Sequence, residues 1–224
     1  MNTMNNKTTL SLLLLLVANL ATLGQSQVVK FRLEATNASG TPIESVTVGD
    51  EFHLRAYTQH MNGYVSEDNS GVFAGYLDIT FDENLASVTG SIDHSADYQN
   101  GKSGDYSVAG LLDDIGGFSS GGDLGIGIEP LGLDEYFLFS VPMRADNVGE
   151  VSFLGSESGS YPAHDVLVYG LNEPVPAKDI DFGEVGTRID FGALNLRAVP
   201  EPTGTTAMVV GTLGLLVMRG RRRN

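Results

Sequence analysis

Hydrophobic and polar positions in the middle of the chain alternate with a period of two, which predicts β-strands. The clearest case is 51–59, where Phe52, Leu54 and Ala56 alternate with charged and polar residues. Successive strand side chains point to opposite faces, so these three should face a core and their neighbours should face solvent. Further strands are predicted at 28–35, 72–81, 136–143, 150–154, 166–171 and 187–196.

Short clusters of Gly, Asn, Asp and Ser separate these predicted strands. They occur at 37–40, 62–63, 82–84 and 116–117. We find no amphipathic helix pattern between residues 27 and 198. Several short strands separated by such turns predict an all-β fold, either a sandwich or a barrel.

The first 26 residues have the pattern of a secretory signal peptide. Lys7 precedes an apolar run from Leu10 to Leu23, and small or polar residues follow it. We expect cleavage after Gly24 or Ser26. An uncleaved membrane anchor is the alternative, but the run is short for a membrane span.

The other end of the chain predicts a membrane span. Val199–Pro202 precedes an apolar stretch, 203–218, and the basic residues that follow are Arg219, Arg221, Arg222 and Arg223. As a helix, this stretch would reach about 24 Å across a core of roughly 30 Å, so the arginine side chains would extend to the interface. Arginines beside a span stay in the cytoplasm, which leaves everything before Pro200 outside.

Pro200, Glu201 and Pro202, the short apolar stretch and the terminal arginines together resemble the PEP-CTERM sorting signal of Gram-negative bacteria. The resemblance implies recognition by a membrane-embedded exosortase, which processes the tail and passes the protein to the cell exterior, often where exopolysaccharide is made. It divides the chain into a signal peptide (1–26), a domain (27–198) and a sorting signal (199–224). An ordinary tail anchor behind a proline-rich spacer is the alternative.

The net charge of −15 narrows the choice of partners. Every acidic residue except Glu201, and all but five of the 13 basic residues, lie in the domain 27–198. Such an acidic segment repels nucleic acids and anionic phospholipids, whereas it suits a soluble extracellular surface, cations or a neutral glycan. The chain has no cysteine, so the core must hold the domain together without disulfides.

The order of the strand motifs resembles that of cohesin-type modules. Thr47–Phe52 opens one strand, Gly71–Asp82 ends in Phe-Asp, and Leu138–Ala145 and Gly149–Phe153 form a late pair. The resemblance spans about Val28 to Asp190 and implies a single jelly-roll β-sandwich that binds dockerins, other proteins or polysaccharides and is not an enzyme. The chain departs from the pattern in a Gly-rich insertion, 101–132, and in having no dockerin-like repeat.

One motif suggests catalysis. The stretch 117–121 matches G-x-S-x-G with Ser119 at the nucleophile position, and Asp146 and His164 follow in the order found in hydrolases. A nucleophile elbow needs a helix after the serine, and the glycines that follow disfavour one. We expect a flexible Gly/Ser loop, and a serine hydrolase stays as the remote alternative.

Close pairs of carboxylates in turn-rich stretches allow a structural calcium ion, although none matches the EF-hand pattern. We expect solvated turns and no cofactor, with calcium as the alternative. The four histidines lack zinc-site spacing, and we expect His53 to face solvent and His60 to start a polar loop. The carboxylate pairs are Asp93 with Asp97, Asp113 with Asp114, and Asp179 with Asp181.

The tyrosines define no flat platform for a glycan. The candidates for exposure are Tyr57, Tyr64, Tyr98, Tyr106 and Tyr161, and we expect most of them to pack at strand edges or turns. The sequence therefore predicts an exported, non-catalytic surface module associated with exopolysaccharide. The alternative is a module that docks one extracellular protein, and the sequence itself identifies no binding residues.

Overall fold

The computed structural model describes residues 27–61, 70–119, 132–160, 163–170, 173–180 and 188–202. Within these ranges the regular structure consists of strands and two short 3₁₀ turns, Ala96–Tyr98 and Ala177–Asp179. None of the helices described there is long and apolar enough to cross a membrane. The predicted signal peptide, the apolar stretch 203–218 and the terminal arginines lie outside the described residues.

The all-β fold predicted from the alternation is confirmed. Fourteen strands lie within the described ranges. In chain order they are β1 (Gln27–Thr36), β2 (Ser45–Thr47), β3 (Glu51–His60), β4 (Val72–Thr80), β5 (Ala86–Val88), β6 (Asp93–His94), β7 (Asn100–Asp105), β8 (Leu111–Phe118), β9 (Glu135–Ala145), β10 (Gly149–Glu157), β11 (Leu167–Val168), β12 (Val175–Pro176), β13 (Arg188–Asp190) and β14 (Ala193–Val199).

The strands form two sheets that enclose one core. The six-stranded sheet has the order β13-β1-β3-β9-β5, and β6 also pairs with β9. The eight-stranded sheet has the order β12-β11-β4-β10-β14-β2, and β8 pairs with β4 while β7 pairs with β8. Each sheet therefore has a long strand near its middle, β3 in one and β4 in the other.

The core lies between the inner faces of the two sheets. Phe52, Leu54 and Ala56 of β3 are fully buried, as the alternation predicts. The ring of Phe52 meets the ring of Phe153, from the other sheet, edge-on at 6.2 Å between centroids. Each side chain of this size contributes roughly 1.5–3 kcal/mol on burial, so the facing sheets supply the stability that disulfides would otherwise add.

The Gly-rich segment contains strands where the sequence predicted an insertion and a loop. Both β7 and β8 lie in it, and the predicted turn at Gly116 and Gly117 is the middle of β8. A Cβ atom at Gly116 would lie 1.9 Å from the carbonyl oxygen of Gly75 in β4. These glycines are needed because two backbones approach closely, and not because the chain turns there.

Several other boundaries differ from the prediction. The strand predicted at 166–171 is only two residues long, and the one predicted at 187–196 is two strands, β13 and β14, interrupted at 191–192. Gly192 there has φ +75°, a conformation that glycine adopts without strain. The shortest strands, such as β6 and β12, are too brief to show an alternating pattern.

His60 was predicted to start a polar loop, and this is wrong. It is the last residue of β3, it is 1% exposed, and its Nδ1 atom accepts the Gly71 N–H at 2.9 Å. The histidine occupies an inward position because it continues the period of Phe52, Leu54 and Ala56. Burial lowers the pKa of His60 to about 4, so the ring is neutral when folded.

Replacing this histidine should change the response of the fold to acid. The unfolded chain takes up the proton near pH 6.5 and the folded chain only near pH 4, so the wild type should lose about 2–3 kcal/mol of stability across that window. His60→Asn keeps an acceptor for the Gly71 N–H but does not titrate. Urea denaturation at a series of pH values should give the variant a flatter profile from pH 6.5 to 4, and parallel profiles would contradict this role.

Candidate functional site

A shallow groove of about 320 Å³ crosses the outer face of the six-stranded sheet. Two neighbouring strands of that sheet, β3 and β9, provide its floor. Ser91, together with Asp93 at the start of β6, provides one wall. Its lining mixes aromatic, charged and hydroxyl side chains. The residues are His53, Arg55, Tyr57, Ser91, Asp93, Phe137, Ser140 and Pro142.

The floor of the groove follows from strand alternation. His53, Arg55 and Tyr57 point outward because their neighbours in β3 point into the core, and all three are half-buried. Their direct partners in β9 are Pro142, Ser140 and Phe137, in that order. The register shifts between Ala56 and Tyr57, and this β-bulge brings Phe137 beside Tyr57.

Arginines and aromatic rings pack against one another along this face. The guanidinium carbon of Arg32 in β1 lies 4.1 Å from the ring centroid of Tyr57. The ring of Tyr57 lies 5.7 Å from that of Phe137, and the guanidinium of Arg55 lies 5.9 Å from the Phe137 ring. Such contacts hold the cations over ring faces.

The two arginines differ in their acidic partners. Arg32 donates to both carboxylate oxygens of Glu135 and to Glu34, each at 2.8 Å, and these bonds raise its pKa. Among the described residues, Arg55 forms no salt bridge, and its buried Nε has no hydrogen-bond partner. The groove therefore contains a guanidinium whose charge no carboxylate of the described part neutralises.

His53 and Ser140 form the polar end of the groove. The His53 Nδ1 atom lies 3.2 Å from the Ser140 hydroxyl, across the β3–β9 pair. Asp93 pairs with Ser140 in the ladder between β6 and β9 and is exposed at the rim. The groove can therefore offer a guanidinium, hydroxyls, an imidazole and one carboxylate to a partner.

A cluster of carboxylates occupies the eight-stranded sheet. Asp78 of β4 faces a bulge in β8, where the register shifts and places both Asp113 and Asp114 opposite it. One carboxylate oxygen from each lies within 4.8 Å of the others. Asp114 has φ +49°, a left-handed conformation that aspartate tolerates better than most residues. The sequence identified two of these three side chains.

The contacts of Asp114 fasten the segment after β10 to the sheet. Its carboxylate accepts hydrogen bonds from the hydroxyls of Ser158 and Ser160 and lies 3.3 Å from the His164 Nδ1. The His164 ring also stacks on Tyr76, at 4.7 Å between centroids. Burial alone would raise the pKa of Asp114. The hydrogen bonds to its carboxylate have the larger effect and hold the pKa below the usual value. The described contacts give the cluster a structural role, and calcium stays a hypothesis.

Removing one charge from this cluster should stabilise the fold. Burial, and then the nearby Asp114 and Asp78 carboxylates, raise the pKa of Asp113. The ionised form is therefore disfavoured by folding, and Asp113→Asn should raise Tm at pH 7 by about 1–2 °C, equivalent to roughly 0.5 kcal/mol. At pH 3, where the carboxyl is protonated in both states, the gain should disappear. Asp134→Asn, at an exposed turn, is the control, and an equal gain from it would contradict the assignment.

Ser119 lacks the surroundings of a nucleophile. It is 2% exposed, and its Oγ lies 2.9 Å from the Tyr169 hydroxyl. His164 contacts Asp114 instead of Ser119. A Cβ atom at Gly117 would lie 2.5 Å from the Tyr98 carbonyl oxygen, so the first glycine of G-x-S-x-G allows a 3₁₀ turn to pack on β8. The geometry gives no support to the hydrolase alternative.

Replacement of Gly117 should destabilise the fold more than replacement of Ser119. Gly117→Ala forces a methyl group against the backbone of the 3₁₀ turn and should cost about 2–3 kcal/mol. Ser119→Ala removes a single hydrogen bond to Tyr169 and should cost about 1 kcal/mol. Urea unfolding of both variants tests this order, and a larger loss for Ser119→Ala would contradict it.

The tyrosines that were candidates for exposure have different environments. Tyr57 lines the groove and Tyr106 is 43% exposed, whereas Tyr98 is fully buried and donates to the Val72 carbonyl. Tyr98 is buried because its ring fills the core beside β8 and its hydroxyl has a backbone acceptor. Tyr64 and Tyr161 lie outside the described residues.

The predicted sorting motif follows the last strand directly. Pro200, Glu201 and Pro202 come after β14, and Glu201 is exposed. Gly49 is its neighbour, since a Cβ atom there would lie 3.7 Å from the Glu201 carboxylate. Arg219, Arg221, Arg222 and Arg223 lie outside the described residues. Among the carboxylates proposed for calcium, Asp93 and Asp97 are exposed, Asp179 ends a 3₁₀ turn, and Asp181 lies outside.

Comparison with solved structures finds cohesin modules with a similar arrangement of strands. The third cohesin of ScaC, in complex with a mutated ScaB dockerin from Acetivibrio cellulolyticus, has 11% identity and a TM-score of 0.47, with 76% of this chain and 99% of that chain covered. The cohesin module of a family 33 glycoside hydrolase from Clostridium perfringens has 12% identity and a TM-score of 0.46, with 79% and 100% covered. A non-cellulosomal cohesin from Archaeoglobus fulgidus has 13% identity and a TM-score of 0.42, with 80% and 97% covered.

A scan against protein-family models gives no match, and neither does a comparison with curated proteins.

Sequence reasoning placed His53 and Arg55 on the outer face but missed the groove that they line. The floor of the groove also includes Phe137 and Pro142 of β9, which lie more than eighty positions after His53 and Arg55 in the sequence. The available signal was that two outward positions of neighbouring predicted strands, Tyr57 and Phe137, are both aromatic. Cross-strand aromatic pairs of this kind indicate that two strands are adjacent.

Proposed function

We propose that the chain is an exported, non-catalytic docking module whose groove binds an extracellular partner protein. The observation that carries this proposal is the arrangement of Arg55 beside Tyr57 and Phe137 on an open sheet face. Arginine and aromatic side chains provide most of the binding energy at protein interfaces. They do so best at half-buried positions, where a partner completes their removal from water.

The unneutralised guanidinium of Arg55 favours a partner that supplies a carboxylate. Phe137 and the loop at Gly40 hold this guanidinium in place, since a Cβ atom at Gly40 would lie 3.3 Å from an Arg55 terminal nitrogen. An arginine held in this way loses little freedom when a planar carboxylate binds to it. We therefore place an acidic side chain of the partner against Arg55.

The same packing makes a protein a better ligand than the polysaccharide expected from the sequence. A sugar ring binds by stacking on an uncovered aromatic face. Here Arg32 covers one face of Tyr57, and Phe137 packs between Tyr57 and Arg55. A protein needs no such face, because it can use the arginines and ring edges together.

The export and sorting of the chain are part of this proposal. They rest on the signal-peptide pattern of residues 1–26 and on the motif Pro200–Pro202 with its apolar stretch and arginines. In this account an exosortase processes the tail and the module is displayed outside the cell. The ScaC cohesin named above was solved in complex with a dockerin, and the proposal for this chain depends on its own groove.

A charge-reversal pair tests the docking face. Arg55→Glu places a negative charge in the groove, whereas Arg197→Glu makes the same change at an exposed position of β14 in the other sheet. The immobilised chain is incubated with the outer-surface fraction of its own source cells. The first variant should lose retention of the partner at least about tenfold, since truncating a hot-spot arginine costs 2 kcal/mol or more. The second variant should bind like the wild type.

Digestion of the surface fraction identifies the class of ligand. Retention that disappears after protease treatment, and survives glycan digestion, supports protein docking through the groove. Retention that disappears only after glycan digestion would instead indicate a polysaccharide ligand. Equal retention by Arg55→Glu and the wild type would show that the groove is not the docking face.

A further inference from the structure

One end of the sandwich is a continuous surface of turns, which we call the tail end. It consists of residues 48–50, 82–85, 106–110, 145–149 and 199–202. Backbone hydrogen bonds join its parts: Val48 N–H to Val199 at 2.9 Å, Gly49 N–H to Ala145 at 2.8 Å, Asp146 N–H to Leu85 at 2.8 Å, and Phe81 N–H to Gly110 at 2.9 Å. The last strand leaves the domain through this surface.

Apolar side chains at the tips of two of these turns are exposed. Tyr106 is 43% exposed and Val108 59% exposed in the turn between β7 and β8, and Val148 is 57% exposed in the turn between β9 and β10. They are three of the five large apolar side chains exposed in the described part of the chain; the other two are Met61 and Leu154. The tail end is thus where most of the exposed apolar tips occur together.

The chain continues from this end into its apolar C-terminal stretch. β14 ends at Val199, and only Pro200, Glu201 and Pro202 precede the stretch that begins at residue 203. Three extended residues reach at most about 10 Å. If residues 203–218 enter a bilayer, the tail end must lie at the bilayer surface.

We propose that the tail end rests on the outer surface of the membrane, with Tyr106, Val108 and Val148 in the lipid interface. The proposal rests on the C-terminal anchoring described above. Tyrosine suits this position because its ring enters the apolar layer while its hydroxyl stays hydrated. Until an exosortase processes the tail, the anchored module then stands with its opposite end away from the cell.

The negative charge of the tail end determines which lipid headgroups it can contact. Asp50, Asp82, Glu83 and Glu201 are all exposed there. Arg144, the nearby cation, is already paired with Asp146 at 2.7 Å. A surface with this excess of carboxylates is repelled by anionic headgroups, so the contact is with zwitterionic lipid.

The N-terminal segment leaves the domain from the other end. β1 runs from Gln27 to Thr36, and Thr36 lies beside His53 near the start of β3, which follows the turn 48–50 of the tail end. Gln27 is therefore about 30 Å away along the strand. An uncleaved N-terminal anchor would hold the opposite end at the membrane, so the two kinds of anchoring predict different contacts.

Single-cysteine labelling distinguishes these arrangements, because the chain has no cysteine of its own. Val108→Cys and Val148→Cys place a fluorophore at the tail end. Met61→Cys places it at the opposite end, at a position that is 38% exposed and whose N–H donates to the Val28 carbonyl at 2.8 Å. Each full-length chain is reconstituted into phosphatidylcholine vesicles that contain a lipid with a quencher at the headgroup.

Co-sedimentation with the vesicles reports anchoring, and quenching reports which end touches the lipid. We expect all three chains to co-sediment, with loss of fluorescence at 108 and 148 and none at 61. Adding phosphatidylglycerol should reduce the quenching. Chains that co-sediment without quenching at 108 and 148, or with quenching only at 61, would overturn the proposal while leaving membrane attachment intact. Chains that stay in the supernatant would overturn the anchoring and this proposal together. Neither result bears on partner capture by the groove, which is measured separately.

Discussion

Burial of apolar side chains between two sheets is the interaction on which the rest of this structure depends. The chain has no cysteine, so nothing covalent holds the sheets together. Phe52, Leu54 and Ala56 of β3 are fully buried, and this fixes the direction of the residues between them. His53 and Arg55 must then face outward on the six-stranded sheet. The backbone under the groove is therefore held in place, because the same strands form one side of the core.

The excess of carboxylates determines the electrostatic character of the domain surface. The domain is strongly acidic, and among its cations Arg32 is paired with Glu34 and Glu135, and Arg144 is paired with Asp146. Arg55, which lies in the groove, forms no salt bridge with the described residues. The carboxylates at Asp78, Asp113 and Asp114 show the opposite situation, in which hydroxyl donors and a histidine offset the repulsion. The same acidic excess limits which partners and lipids can approach.

The sequence pattern was sufficient to predict the fold class and the long strands, because β3 alternates strictly over its ten residues and β9 is rich in aromatic and aliphatic side chains. It failed at β8, since Gly116 and Gly117 serve close packing of backbones and look like a turn in the sequence. It also failed at His60, whose inward position follows the period although its side chain is polar. The groove escaped prediction because it needs the register of β3 on β9, which long-range pairing determines.

The most direct test of a docking role is a photo-crosslinker placed in the groove of the exported chain on living cells. Tyr57 is replaced by benzoylphenylalanine, and Asn195, exposed on the other sheet, is replaced in a matched chain. The account predicts that irradiation joins the chain with the crosslinker at 57 to one protein and leaves the other chain free. A protein crosslinked only from position 195, or none from either, would contradict docking through this face.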